Sequence, residues 1–244
     1  METNNNTYIP PLVVLGVEPQ EKINLDNFFA EENNPLRDML KNPPYLRYSG
    51  WNLLTLDWPR IKDGKCWEVK NGDRKTIRLY RDGSLVAIAY TDDSFLGWGQ
   101  DHNKFVEYPQ LNSLAIVEYV YEFVELYKKM LTHIPKVKKV KFNVGIKNAS
   151  LWEGKKLFLK PKEVQDLFYK SDFDDASIVY VTKDFYEKIN ADVSDAIYDS
   201  KYVTFEVLSE FFIHFGISPD KIPYTKKDDK GKGYVDVEKI AGNK

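Results

Sequence analysis

Cysteine is almost missing from this 244-residue chain: Cys66 stands alone. One thiol makes no disulfide within the chain and no Cys-rich zinc site. Nothing in the composition uses oxidising conditions, which points to the cytoplasm. Histidine is scarce as well, and His102, His133 and His214 lie far apart with no helical i,i+4 pair. Apolar runs are too short to approach the ~20 residues of a spanning helix. The start, Met1-Glu-Thr-Asn-Asn-Asn, lacks the basic-then-apolar order of a secretory signal. Neither G-x-x-x-x-G-K-[ST] nor G-x-G-x-x-G occurs, so no phosphate loop announces a nucleotide. Net charge is only −2, which excludes a basic footprint over the whole protein but not a local patch. These absences predict a soluble cytoplasmic protein with no membrane partner and no cofactor.

Aromatic residues, by contrast, are abundant. Sixteen tyrosines, fourteen phenylalanines and five tryptophans give a composition far from that of disorder. Four of the tryptophans lie between Trp51 and Trp98, with two tight-turn signals, Asn71-Gly72 and Asp82-Gly83. This segment predicts an antiparallel β-meander. A two-residue loop at Asp82-Gly83 pairs Leu79 with Val86 and Ile77 with Ile88 on an apolar face. Tyr80, Arg78 and Thr76 then fall on a mixed face with Trp67. The same logic at Asn71-Gly72 sets Glu68 opposite Lys75, with a four-residue loop as the alternative.

Helical periodicity is clearest from Leu111 to Ile134. Ile116, Val120, Phe123, Tyr127, Met130 and Ile134 recur at spacings of four and three, an apolar stripe. Glu118, Glu122, Glu125 and Lys129 lie off it, with Glu125 and Lys129 an i,i+4 pair. Helices are also expected within 24–41, near 161–169 and over 202–215, and strands over 137–146, 157–159 and 176–182. The predicted fold is α+β: an antiparallel, aromatic-rich meander packed by a long helix, then a smaller α/β portion. Residues 8–224 make one domain with room for a sub-boundary near 135. Residues 1–7 and 225–244, the latter rich in Lys, Asp and Gly, read as flexible tails.

Two constellations carry chemistry. Between Leu126 and Lys162 there are eleven lysines and one acid, Glu153. Lys136, Lys138, Lys139, Lys141 and Lys147 border or lie on one predicted strand and suit contact with phosphates, while Trp152 or nearby tyrosines suit stacking on bases. The bland reading is a solvated sheet face or a lysine-guarded edge. The second is Asp57 followed by Glu68-Val69-Lys70, the pattern of a metal-dependent nuclease. There two carboxylates hold magnesium and a lysine helps activate water. The pattern is short and common, and a cross-strand partner for Glu68 explains it without catalysis.

Tyr48-Ser-Gly-Trp51-Asn-Leu, Asp63-Gly64-Lys65 and Lys75-Thr-Ile77-Arg78-Leu79-Tyr80-Arg81-Asp82-Gly83 together resemble the region that follows the AlbA-type domain in bacterial Schlafen-like proteins. The resemblance covers about residues 45–150, and the AlbA-type domain itself has no counterpart here. It implies the accessory or sensor half of a nucleic-acid-associated defence system, free-standing or excised, and it carries over no site residue. The leading expectation is a non-catalytic binding module for nucleic acid or another polyanion. The alternatives are a nuclease using Asp57, Glu68 and Lys70, and a structural subunit that meets a protein partner. Oligomeric state is not set by the sequence.

Overall fold

The computed structural model describes residues 11–30, 34–48, 50–55, 57–72, 74–91, 95–97, 110–134, 137–149, 157–160, 180–181, 183–193 and 199–242. The protein is α+β. Its strands and helices run in the order β1 (Leu12–Pro19), α1 (Asp26–Ala30), α2 (Pro35–Lys41), β2 (Arg60–Lys62), β3 (Cys66–Asn71), β4 (Lys75–Tyr80), β5 (Leu85–Tyr90), β6 (Gln110–Asn112), α3 (Ser113–Leu131), β7 (Lys139–Lys147), β8 (Leu157–Lys160), β9 (Tyr180–Val181), β10 (Phe185–Asp192), α4 (Ser200–Ile213), β11 (Thr225–Lys227), β12 (Gly233–Val235) and α5 (Val237–Gly242). Seven strands form one antiparallel sheet in the order β10-β7-β1-β5-β4-β3-β2. The meander β2–β5 supplies one half. β1 joins it to β7 and β10, which come from the portion after Pro135. A small sheet, β6-β8-β9, and the β11–β12 hairpin complete the strands.

One face of the large sheet is the core. Val13, Leu15 and Val17 of β1 share it with Ile77, Leu79, Leu85, Ala87, Val140, Phe142 and Val144, all buried. The helices dock there. Phe29 of α1 stacks on Trp67 at 4.3 Å between ring centroids, the Tyr127 hydroxyl of α3 donates to the Gly83 carbonyl, and Phe211 of α4 meets Phe185 of β10. Asn112 caps α3, its side chain accepting from the amides of Leu114 (3.0 Å) and Ala115 (3.3 Å). That cap satisfies donors which the first helical turn leaves open.

The meander's register differs from expectation by one residue. Tyr80 N donates to Ser84 O at 2.8 Å, Gly83 N donates to Tyr80 O at 3.0 Å, and Gly83 takes φ +82°. This is a three-residue loop, Arg81-Asp82-Gly83, closed by a glycine in the left-handed region. Leu79 therefore faces Leu85, not Val86, and Ile77 faces Ala87, not Ile88. A one-residue slip moves whole sets of side chains across the sheet. Val86 and Ile88 join Thr76, Arg78 and Tyr80 on the face away from the core. Trp67, paired with Leu79, goes into the core rather than the mixed face. The Asn71-Gly72 loop is also longer than two residues: Asn71 pairs with Lys75, and Glu68 pairs with Arg78 instead of Lys75.

Helical expectations hold in outline. The 24–41 segment splits into α1 and α2, with Asn34 capping α2 through Leu36 N at 2.8 Å and Pro35 opening it. Glu125 pairs with Lys128 at 3.3 Å rather than with Lys129, and accepts from the Ser200 hydroxyl of α4. The segment 225–244, expected as a tail, is folded through 242. Val235 and Ile240 are fully buried, and the Phe205 ring of α4 lies against Gly233, where a Cβ would clash. Residues 1–7 and the helix expected at 161–169 lie outside the described residues. No helix among the described residues is long and apolar enough to cross a membrane.

Candidate nucleic-acid interface

The second face of the large sheet can be read row by row from the register. One row runs Lys188, Asn143, Gly16, Val86, Arg78, Glu68, Arg60 from β10 to β2. The row beside it runs Tyr186, Gly145, Val14, Ile88, Thr76, Lys70. On the other side lie Asn190, Lys141 and Glu18, then Tyr80, Cys66 and Lys62 towards β2. The middle is small and apolar, and cations stand towards both ends.

Of the lysines singled out in the sequence, Lys139, Lys141 and Lys147 alternate on this face of β7, with Lys139 and Lys147 exposed at the strand's two ends. Lys138 is exposed just before the strand. Lys136 lies outside the described residues, as does Trp152. The structure adds Lys188 of β10, exposed opposite Asn143. Lys139, Lys147 and Lys188 make no ion pair with a described residue, whereas Lys141 reaches Glu18 at 3.7 Å.

Glu68 is the most heavily paired acid of the face. Its carboxylate accepts from Arg78 Nε at 2.6 Å and Lys62 Nζ at 3.2 Å, and lies 3.5 Å from Lys70 Nζ. Burial of the carboxylate raises its pKa, but the bonds from Arg78 and Lys62 outweigh it, and the pKa falls below the usual value. Asp57 is exposed and lies outside the strands. The lone pairs that magnesium would need from Glu68 are thus directed at three cations. Lys70, the third member of the nuclease pattern, is one of them. No cluster of three or more metal-ligating His, Cys, Asp or Glu occurs among the described residues.

Sequence reasoning missed a second polar assembly, on the far side of the core. Glu118 and Glu122, which lie off the apolar stripe of the helix, are both buried. Residues 45–48 and 50–54 lie over them. Arg47 Nη2 lies 2.5 Å from Glu118 Oε2. Glu122 accepts from Leu46 N at 2.7 Å and Leu53 N at 3.1 Å. Lys75 donates to the Asn52 carbonyl, and Trp51 Nε1 donates to Phe95 O at 3.0 Å. Burial pushes Glu122 up to about 8, with the charge of Glu118 adding to the effect against the two backbone amides. Burial pushes Lys75 down to about 8, opposed by Glu122. Leu46, Arg47, Gly50 and Leu53 are therefore a clasp on buried acids. A sequence signal existed: Glu118 and Glu122 are the only charged residues in the first twelve of α3.

No family model, no curated protein and no solved structure matches the chain.

Proposed function

We propose that the protein is a non-catalytic binding module that takes a polyanion, nucleic acid foremost, on the sheet face opposite the helices. One observation carries this reading. That face presents Lys139, Lys147 and Lys188 exposed and without an ion pair to a described residue, while of its acids Glu18 and Glu68 already face cations and Asp192 stands opposite Lys139. A surface with surplus positive charge gains affinity by releasing counterions from phosphates. The likeness of residues 45–150 to Schlafen-like proteins supports a place in bacterial defence. The test is titration of the full chain with labelled nucleic acid at rising salt. Log affinity should fall linearly with log salt, and the slope should shrink by about one for each of Lys139→Ala and Lys188→Ala. Absence of binding at low salt, or affinity indifferent to salt, would remove the reading.

A structural subunit with a protein partner is the second reading, favoured by exposed aromatics. Tyr48 is 81% exposed and Trp58 58% exposed, the latter under Lys41 at 3.2 Å. Large exposed apolar side chains close in sequence are a common mark of an interface. Sedimentation of the chain alone, and of a Tyr48→Ser, Trp58→Ser variant, distinguishes self-association through this patch from a monomer.

A further inference from the structure

We infer that Tyr186 is a stacking platform for an unpaired base, so that the cationic sheet face takes single-stranded rather than duplex nucleic acid. The inference rests on the polyanion reading above and narrows it to one ligand class.

The geometry begins with two glycines. Gly145 of β7 is paired with Tyr186 of β10, and Gly16 of β1 lies one strand further on. A Cβ at Gly145 would meet Cδ2 of the Tyr186 ring at 2.9 Å, and a Cβ at Gly16 would meet its hydroxyl at 3.3 Å. The ring therefore lies down on the sheet, crossing β7 from β10 with its hydroxyl towards β1. Only residues without side chains let an aromatic ring approach backbone in this way. One side of the ring is pressed onto the strands. The residue is nonetheless 44% exposed, so the ring's other side looks outward as a flat apolar plate near the β10 edge of the charged face.

The cations are arranged around that plate. Lys147 lies two residues along β7 from Gly145, and Lys188 two residues along β10 from Tyr186. Each is about 7 Å away along its strand, on opposite sides of the ring. Lys141 lies further along β7 on the Lys188 side. A flat ring flanked by lysines is what single-strand recognition requires: a π-surface for the base and positive charge along the backbone. A duplex keeps its bases stacked on one another and offers nothing to the ring. The cations beside the ring are lysines, which meet phosphate as point charges rather than as planar forks, so the expected binding is tolerant of sequence.

Tyrosine over glycine also serves packing, because an aromatic ring on a neighbouring strand can cover a glycine. The two roles separate experimentally. The full chain is titrated by fluorescence anisotropy with a labelled single strand of about twelve nucleotides. The same is done with the matching duplex, and with an abasic strand that keeps every phosphate. We expect the single strand to bind at least about tenfold tighter than the abasic strand. Tyr186→Phe should keep that advantage, and Tyr186→Leu, which still covers Gly145, should erase it. Equal affinity for base-bearing and abasic strands, a duplex bound as tightly as the single strand, or Leu performing as well as Phe would each overturn the stacking platform. Those results would leave the polyanion reading intact. Failure of all three nucleic acids to bind would overturn both.

Discussion

The Glu118 carboxylate fills the space where a side chain at position 50 would stand: a Cβ built on Gly50 would collide with Oε1. The same carboxylate holds Arg47 at 2.5 Å. Position 50 is thus glycine because the loop must lie against a buried acid. Gly50→Ala forces either the carboxylate or the loop to move, and overpacking of this kind costs about 1–3 kcal/mol. Gly64 is a control: it takes φ +64° with nothing near its Cβ position, so Gly64→Ala carries only the left-handed penalty of about 1–2 kcal/mol. Urea denaturation should place the Gly50 variant at or below the Gly64 variant in stability, with the Arg47–Glu118 pair lost. A Gly50→Ala protein as stable as the parent would refute the close approach.

Glu122 and Lys75 predict an unusual pH profile. The carboxyl rises in the folded protein from 4.5 to about 8. Between those values the folded state holds a proton that the unfolded chain releases, so stability falls as pH rises through that window. The ammonium falls from 10.5 to about 8. Between pH 8 and 10.5 the unfolded chain binds the extra proton, so stability recovers as pH rises. The pair should therefore impose a stability minimum near pH 8, with a depth on the order of a few kcal/mol. Thermal melts from pH 5.5 to 10 check it. Glu122→Gln should flatten the acid limb and Lys75→Met the alkaline limb, and a monotonic parent profile would argue against both assignments.

Glu68 gives a prediction in the opposite sense from an active-site residue. Its carboxylate neutralises Arg78, Lys62 and Lys70. Glu68→Gln leaves those cations less compensated, so binding of a polyanion at low salt should tighten several-fold with a steeper salt dependence. If the variant instead abolished a magnesium-dependent cleavage shown by the parent, the nuclease assignment would gain its support.

What the sequence made legible follows from what its patterns can distinguish. The meander and the long helix were readable because turn residues and a 3.6-residue stripe are local signals. The register was not. Leu85-Val-Ala-Ile-Ala is apolar at every position, so its alternation cannot choose a face, and Asp-Gly closes a three-residue loop as well as a two-residue one. Burial of Glu118 and Glu122 was hidden because the covering residues, 45–48 and 50–54, are distant in sequence. Strand β10 was hidden by its composition: Phe185-Tyr-Glu-Lys-Ile-Asn-Ala-Asp alternates weakly and carries three charges. The three lysines on β7, Lys139, Lys141 and Lys147, were found from sequence. The tyrosine beside them was not, because only the sheet brings Tyr186 over Gly145.

The C-terminal hairpin and helix are the place where composition misled most, and they yield a direct test. Lys226 pairs with Asp236 at 2.7 Å, and the Tyr202 hydroxyl of α4 donates to Asp228 at 2.8 Å. These polar contacts join residues that read as solvated tail. Beneath them Val235 and Ile240 are fully buried with Val237 packed alongside. Ile240→Ala removes methylene groups from a packed site and should cost about 2–5 kcal/mol. Lys230→Ala, at an exposed turn position, should stay within about 0.5 kcal/mol. Hydrogen exchange adds an independent reading. The amide of Asp236, bonded to Tyr224 O at 2.7 Å, should be protected, since a hydrogen-bonded core amide exchanges only when its surroundings open. Rapid exchange there, together with a neutral Ile240→Ala, would return this segment to a tail.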